Sequence, residues 1–306
     1  MSWFFISIIS YFITAINSIV DKFLLGKSIP NPILYSFYVG IFSIFTIILI
    51  PFGMEWPGMW QFLIALSVGA LYLAALIAFF TALIADEASR IVSLVGAITP
   101  VFILIFSDIF FGSELGRNQM IAFVLLVLGG ALISLRKDAK CRLLDFGMYS
   151  CARNTWIAIL ASLFFAAFFL LAKYVFSHQD FISGFVYTRL GSLVAAILLL
   201  AFPLYRKMIS QTTQKVHTES LWVFIFNKTF AGVAFLLLNY AISLGNVALI
   251  NALEGVKYIF VLIIIFLFSK KLPGIIREDT SWLIMLQKTL AVFLIFIGLY
   301  MLAGFK

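Results

Sequence analysis

A five-helix pattern occurs twice in this chain, and almost nothing lies outside it. An offset of 151 residues lays Lys22 on Lys173 and Gly40 on Gly191. An offset of 159 lays Ala82 on Ala241, Ile91 on Ile250, Leu94 on Leu253 and Gly96 on Gly255. An offset of 168 lays Gln119 on Gln287, Val124 on Val292, Leu126 on Leu294 and Gly130 on Gly298. Identity is thin, but order and spacing hold, and the offset grows only where a loop can lengthen. The pattern consists of apolar runs near 2–25, 32–52, 59–84, 89–111, 118–135, 155–176, 181–203, 220–243, 247–269 and 281–304. Runs of roughly 18 to 25 apolar residues are long enough to cross a bilayer as helix. Five spans is an odd number, so the second copy enters the membrane from the opposite face. The expected fold is an all-α integral membrane protein of ten transmembrane helices arranged as two inverted five-helix repeats. The repeats are 1–137 and 155–306, with a connector at 138–154.

Composition demands the same solvent. The 306 residues are 64% hydrophobic and 11% charged, with mean hydropathy +1.14. A soluble chain of this length has nowhere to hide so much apolar surface, so the solvent is lipid. The formal charge of +8 does not point to nucleic acid, because the basic residues sit in short loops between apolar runs. All six tryptophans (Trp3, Trp56, Trp60, Trp156, Trp222, Trp282) fall at or close to span ends, where an amphipathic ring prefers the headgroup level. The first run is too long for a signal core, lacks a basic lead and ends in Asp21-Lys22, so no cleaved signal peptide is expected. Cys141 and Cys151 share one connector, and two cysteines establish no disulfide framework.

Lys and Arg divide unequally between the two faces. One face receives fourteen, including Arg136, Lys137, Lys140, Arg142, Arg206 and Lys207; the other receives Arg117, Lys173 and Lys306. The rich face is expected to be cytoplasmic, with both termini outside. Lys22 and Lys173 are expected to snorkel to opposite interfaces.

The stretch from Ala82 to Leu135 carries the most specific motif order. A charged turn, Asp86-Glu87-Ala88-Ser89-Arg90, leads into Ile91-Val92-Ser93-Leu94 and then Thr99-Pro100-Val101-Phe102. Phe111-Gly112-Ser113-Glu114-Leu115 follows, and then a span ending in Gly129-Gly130. This resembles the EamA-type repeat of the drug/metabolite transporter (DMT) superfamily. The second half resembles the same repeat, with Asn239-Tyr240-Ala241-Ile242-Ser243-Leu244-Gly245 leading into its ninth span. It departs by carrying Ile259 opposite Pro100 and Pro273 opposite Glu114, so the halves are not interchangeable around a symmetric site. Members of the superfamily are commonly drawn with both termini in the cytoplasm, opposite to the charge count here.

Charged groups deep in a bilayer are costly and face a cavity or a partner. Arg189 in span 7, Lys228 in span 8, and Glu254 and Lys257 in span 9 are the deepest. Glu254 and Lys257 are three apart and share a helix face. Either Glu254 neutralises Lys257 or Arg189 and serves packing, or the surplus cations form an electropositive pocket for a carboxylate. Tyr258 and Tyr240 are the polar residues expected beside that pocket. Asn17, Tyr38, Tyr72, Ser93, Thr99, Asn227, Asn239 and Asn251 are further polar candidates, each more often helix glue than ligand contact. Pro100 removes a helix hydrogen bond within its span. The charged turn at Asp86, Glu87 and Arg90 is expected to cap span 4.

No catalytic constellation is present. His178 and His217 lie in different connectors. No Cys/His/carboxylate cluster has metal spacing, and no Gly-rich loop could hold a phosphate. No metal, cofactor or nucleic acid is expected. Inverted repeats around a midplane site are the plan of a secondary transporter, and without a nucleotide loop the drive must be a gradient or exchange. The leading expectation is export of small metabolites, amino acids or other carboxylate-bearing compounds, across a bacterial inner membrane. Proton or counter-substrate would supply the coupling. A carrier or flippase for phosphorylated or lipid-linked sugars is the alternative, and an intramembrane enzyme a remote one.

Overall fold

The computed structural model describes residues 2–24, 31–85, 88–112, 115–134, 149–213, 218–268 and 282–304. Among them are twelve α-helices and no strand. In chain order they are α1 (Ser2–Phe23), α2 (Pro32–Phe42), α3 (Met59–Ala85), α4 (Ala88–Phe111), α5 (Arg117–Ser134), α6 (Tyr149–His178), α7 (Phe181–Leu199), α8 (Pro203–Thr213), α9 (Thr218–Leu244), α10 (Val247–Ala252), α11 (Glu254–Phe268) and α12 (Trp282–Gly304). A 3-10 segment, Ser43–Phe52, continues α2. Each of the ten apolar runs is therefore helical in its described part. Seven helical segments are long and apolar enough to cross a membrane, and Leu94–Phe110 and Arg117–Leu132 are shorter apolar helices.

Several starts are written locally. Asn31 caps α2, its side chain accepting from the Ile33 and Leu34 amides at 3.0 Å, with Pro32 at the first helical position. Asp180 caps α7 through the Ile182 amide at 2.9 Å. Asn246 caps α10 through Ala248 and Leu249. In each case a short side chain satisfies amides that have no intrahelical partner. The α10–α11 break at Leu253 divides the ninth apolar run. Helix α4, by contrast, runs unbroken through Pro100.

Helix α1 shows how lipid reverses the usual pattern. Ser7, Ser10 and Asn17 are buried on one face, and Asp21 extends that face by one turn. Phe5, Ile9, Phe12 and Ile16 are exposed on the other. In a membrane the outward face is greasy, and the helix packs through small and polar groups. The Ser10 hydroxyl donates to the Ala234 carbonyl of α9 at 2.7 Å, tying the two helices together. Trp56, just before α3, Trp60 and Trp222 in the first turns of α3 and α9, and Trp156 two turns into α6 are all more than 60% exposed, as an interfacial belt requires.

Packing between the halves follows paired contacts. Helix α3 lies on α6 as α9 lies on α1, and α4 lies on α6 as α11 lies on α1. Helix α5 packs against α12, and α2 against α7. Other contacts depart from this pairing: α5 also meets α11, and α3 meets α7 extensively, at Gly69 and Gly191. A Cβ on Gly69 would collide with the Thr188 backbone, and one on Gly191 with the Leu66 backbone. Only glycine lets these backbones approach so closely.

One expectation is corrected here. Lys173 does not snorkel. Its ammonium donates to the carbonyls of Ile242, Ser243 and Gly245 at 2.9, 3.0 and 3.1 Å. A cation there satisfies orphan carbonyls and complements the negative end of the α9 dipole. Between the seventh and eighth apolar runs, helix α8 occupies most of residues 204–219. Asp86, Glu87, Ser113, Glu114, Pro273 and most of the 138–154 connector lie outside the described residues. So do the side chains of Lys22, Arg90 and Ser93.

Candidate functional site

The deep cations occupy three separate environments. Arg189 sits about 12 Å along α7 from its start, taking 1.5 Å per residue. Its guanidinium carbon lies 5.0 Å from the centre of the Tyr72 ring of α3 and 4.8 Å from the Phe235 ring of α9. Phe168 of α6 closes the group, 4.9 Å from Tyr72 and 5.9 Å from Phe235 between ring centres. Four helices thus contribute to one aromatic box around a single cation. Stacking on rings stabilises a guanidinium but does not satisfy its donors. The Nη1 atom is buried without a hydrogen-bond partner, and among the described residues Arg189 has no ion pair.

Lys228 of α9 is fully matched. Its ammonium meets both carboxylate oxygens of Asp21 at 2.8 Å. The same carboxylate accepts from the Tyr35 hydroxyl of α2 at 2.7 Å and from Asn227 Nδ2 at 2.5 Å. The Tyr35 and Phe224 rings lie 5.0 and 5.7 Å from the ammonium. Tyr35 and Lys228 are buried, and the Asp21 side chain keeps 23% of its surface. Asp21 is the functional-looking residue that sequence reasoning passed over, having taken it for the end of the first span.

Lys257 of α11 is matched too, by Glu254 one turn earlier. The Tyr258 ring lies 4.9 Å from the Lys257 ammonium, and the Tyr258 hydroxyl donates to the Val92 carbonyl of α4 at 3.2 Å. Tyr11 of α1 donates to the Ile250 carbonyl at 3.0 Å, just before the Leu253 break. Glu254, Lys257 and Tyr258 therefore form one group, Lys228 belongs to a second, and Arg189 to a third. Tyr240 joins none of them. It is 41% exposed, with its ring against Phe181.

The expected pool of unmatched cations is thus smaller than the sequence suggested, because Asp21 as well as Glu254 is inside the bundle. Arg189 is the one left over among the four deep charged residues. Of the neutral candidates, Asn239 and Asn251 donate to carbonyls one turn back in their own helices, and Tyr38 packs on Phe224. Asn17 Nδ2 and Thr99 Oγ1 are buried without partners among the described residues.

Residues 1–135 match the EamA-like transporter family. The matched stretch runs from α1 through α5, so the EamA-like part includes Asp21, Tyr35 and Tyr72 but not Arg189. No curated protein matches the chain. One solved structure, described only as the crystal structure of a protein, shares the fold at TM-score 0.67 and 15% identity. That likeness covers 98% of this chain and 94% of the other, so the second half shares in the fold as well. The EamA-like match and the apolar helices identify an integral membrane protein similar to small-molecule transporters of the DMT type.

Proposed function

We propose that the chain is a secondary active transporter that exports small carboxylate-bearing metabolites, amino acids among them, by alternating access. One observation carries the substrate class: Arg189 is a buried cation held between two rings, with Nη1 unpartnered and, among the described residues, no anion beside it. A charge so placed is costly unless an anion or water completes it. A carboxylate answers the charge, and the walls of Tyr72, Phe168 and Phe235 accept an apolar body. The paired contacts between helices, together with the repeat offsets, support two inverted five-helix repeats, 1–137 and 155–306, rocking about this box. Coupling to a proton or a counter-substrate follows from the lack of any nucleotide-binding loop in the sequence.

Purified protein in liposomes tests this reading across a metabolite panel, with and without a pH gradient. Carboxylate-bearing compounds should move and their neutral amides should not. Movement of neutral or cationic compounds alone would remove the anion from the model.

The Lys/Arg imbalance supports an inner-membrane orientation with both termini outside. A cysteine replacing Gly53 should then react with an impermeant thiol reagent added to whole cells, and one replacing Gln211 should not. The reverse labelling would invert the topology.

A further inference from the structure

We infer that α8 is an interfacial helix that binds an anionic phospholipid, with Arg206 and Lys207 holding the headgroup phosphate. Arg206, Lys207 and Ser210 line one open cleft of about 320 Å³, whose remaining walls are Leu200, Ala201 and Pro203. Both basic residues and Ser210 are exposed there. Two cations and a hydroxyl converging on a concave surface suit a phosphodiester, which is anionic and rich in acceptors.

The surroundings choose lipid over free phosphate. Three residues separate Pro203, the start of α8, from the end of α7, whose last turns expose Ile197 and Leu198 at 51% and 57%. Phe202 and Leu204, on either side of Pro203, are 58% and 68% exposed. The cleft therefore opens beside a greasy surface on which acyl chains can lie while the headgroup meets the charges. A helix anchored by one buried apolar residue, with basic residues and flanking large apolar groups, belongs in the plane of the interface. The buried face of α8 gives the contact reach. Ile209 is buried in the same cluster as Leu34, Tyr35 and Phe224, so lipid on the outer face of α8 braces the side of the bundle that holds the Asp21–Lys228 pair.

Native mass spectrometry of the detergent-purified protein tests this, with phosphatidylglycerol or phosphatidylcholine added. Wild type should retain phosphatidylglycerol in preference to phosphatidylcholine. The double variant Arg206→Gln, Lys207→Gln should lose that preference by about thirtyfold, the effect of removing two surface cations beside an anionic lipid. A swapped variant, Arg206→Lys with Lys207→Arg, should keep it. Arg117→Gln, an exposed cation at the start of α5, should leave it unchanged. Equal retention of both lipids by wild type, or unchanged preference in the double variant, overturns the proposal. Displacement of the retained lipid by millimolar inorganic phosphate also overturns it, since the cleft would then be a phosphate site.

Discussion

Arg189→Met makes the protein more stable while substrate affinity falls about a hundredfold. The two halves of this result have one cause. A guanidinium buried among Tyr72, Phe235 and Phe168, with Nη1 unpartnered, has lost its hydration and regained ring contacts and the Tyr72 hydroxyl, but no partner for that nitrogen. Leaving such a donor unmet costs about 1–3 kcal/mol, and methionine removes that cost while filling similar volume. The affinity loss follows from the missing charge-assisted hydrogen bonds, whose net value of about 1.5–3 kcal/mol corresponds to roughly ten- to hundredfold. Thermal unfolding in detergent gives the first quantity and ligand binding by the same preparation gives the second. Arg189→Lys should fall between, since an ammonium keeps the charge but loses the planar fork that stacks between rings. If stability and affinity fall together, Arg189 is structural and the box is not a binding site.

How much of this could be read in the sequence differs from feature to feature. The ten apolar runs and their spacing were plain, because lipid imposes a length that hydropathy detects directly. The depth of Arg189, Lys228 and Lys257 in their apolar runs was equally plain, and the shared helix face of Glu254 and Lys257 could be read from their spacing, although the sequence left open whether Glu254 answers Lys257 or Arg189. What the sequence hid were partnerships across the bundle. Asp21 and Lys228 are 207 residues apart, and nothing local announces their meeting. A signal did exist: Ser7, Ser10, Thr14, Asn17 and Asp21 recur at intervals of three and four, marking one polar face of α1. A hydropathy window averages that face away against Phe5, Ile9, Phe12 and Ile16. The aromatic box was hidden for the same reason, since Tyr72, Phe168, Arg189 and Phe235 come from four helices. Among 35 phenylalanines, no local rule separates two that line a site from those that pack the core, such as Phe80 and Phe123, or those exposed on the outside, such as Phe226 and Phe293. Helix α8 was passed over because Pro203, Arg206 and Lys207 read as a basic connector, and its apolar anchor, Ile209, is a single buried residue.

The Asp21–Lys228 pair yields the other large effect, and its sign is opposite to that of Arg189. Asp21→Asn should lower stability by about 3 kcal/mol, toward the lower end for breaking a buried ion pair, since Asp21 keeps 23% of its side-chain surface. The neutral amide can still accept from Tyr35 and Asn227, so the loss comes from Lys228, left charged against Tyr35 and Phe224 with no anion. Lys228→Met alone removes the stranded cation and leaves a carboxylate with two donors still in place, so it should cost less. The double variant should regain most of the loss, giving a favourable coupling energy in the cycle. This pair draws α1, α2 and α9 together at one point, whereas α3 and α7 are joined at Gly69 and Gly191. A pair that only holds helices together affects transport in proportion to its effect on folding. Transport lost from the double variant at recovered stability would show that the charges themselves take part in the cycle. An Asp21→Asn protein as stable as wild type would show that the pair contributes nothing to holding the three helices together.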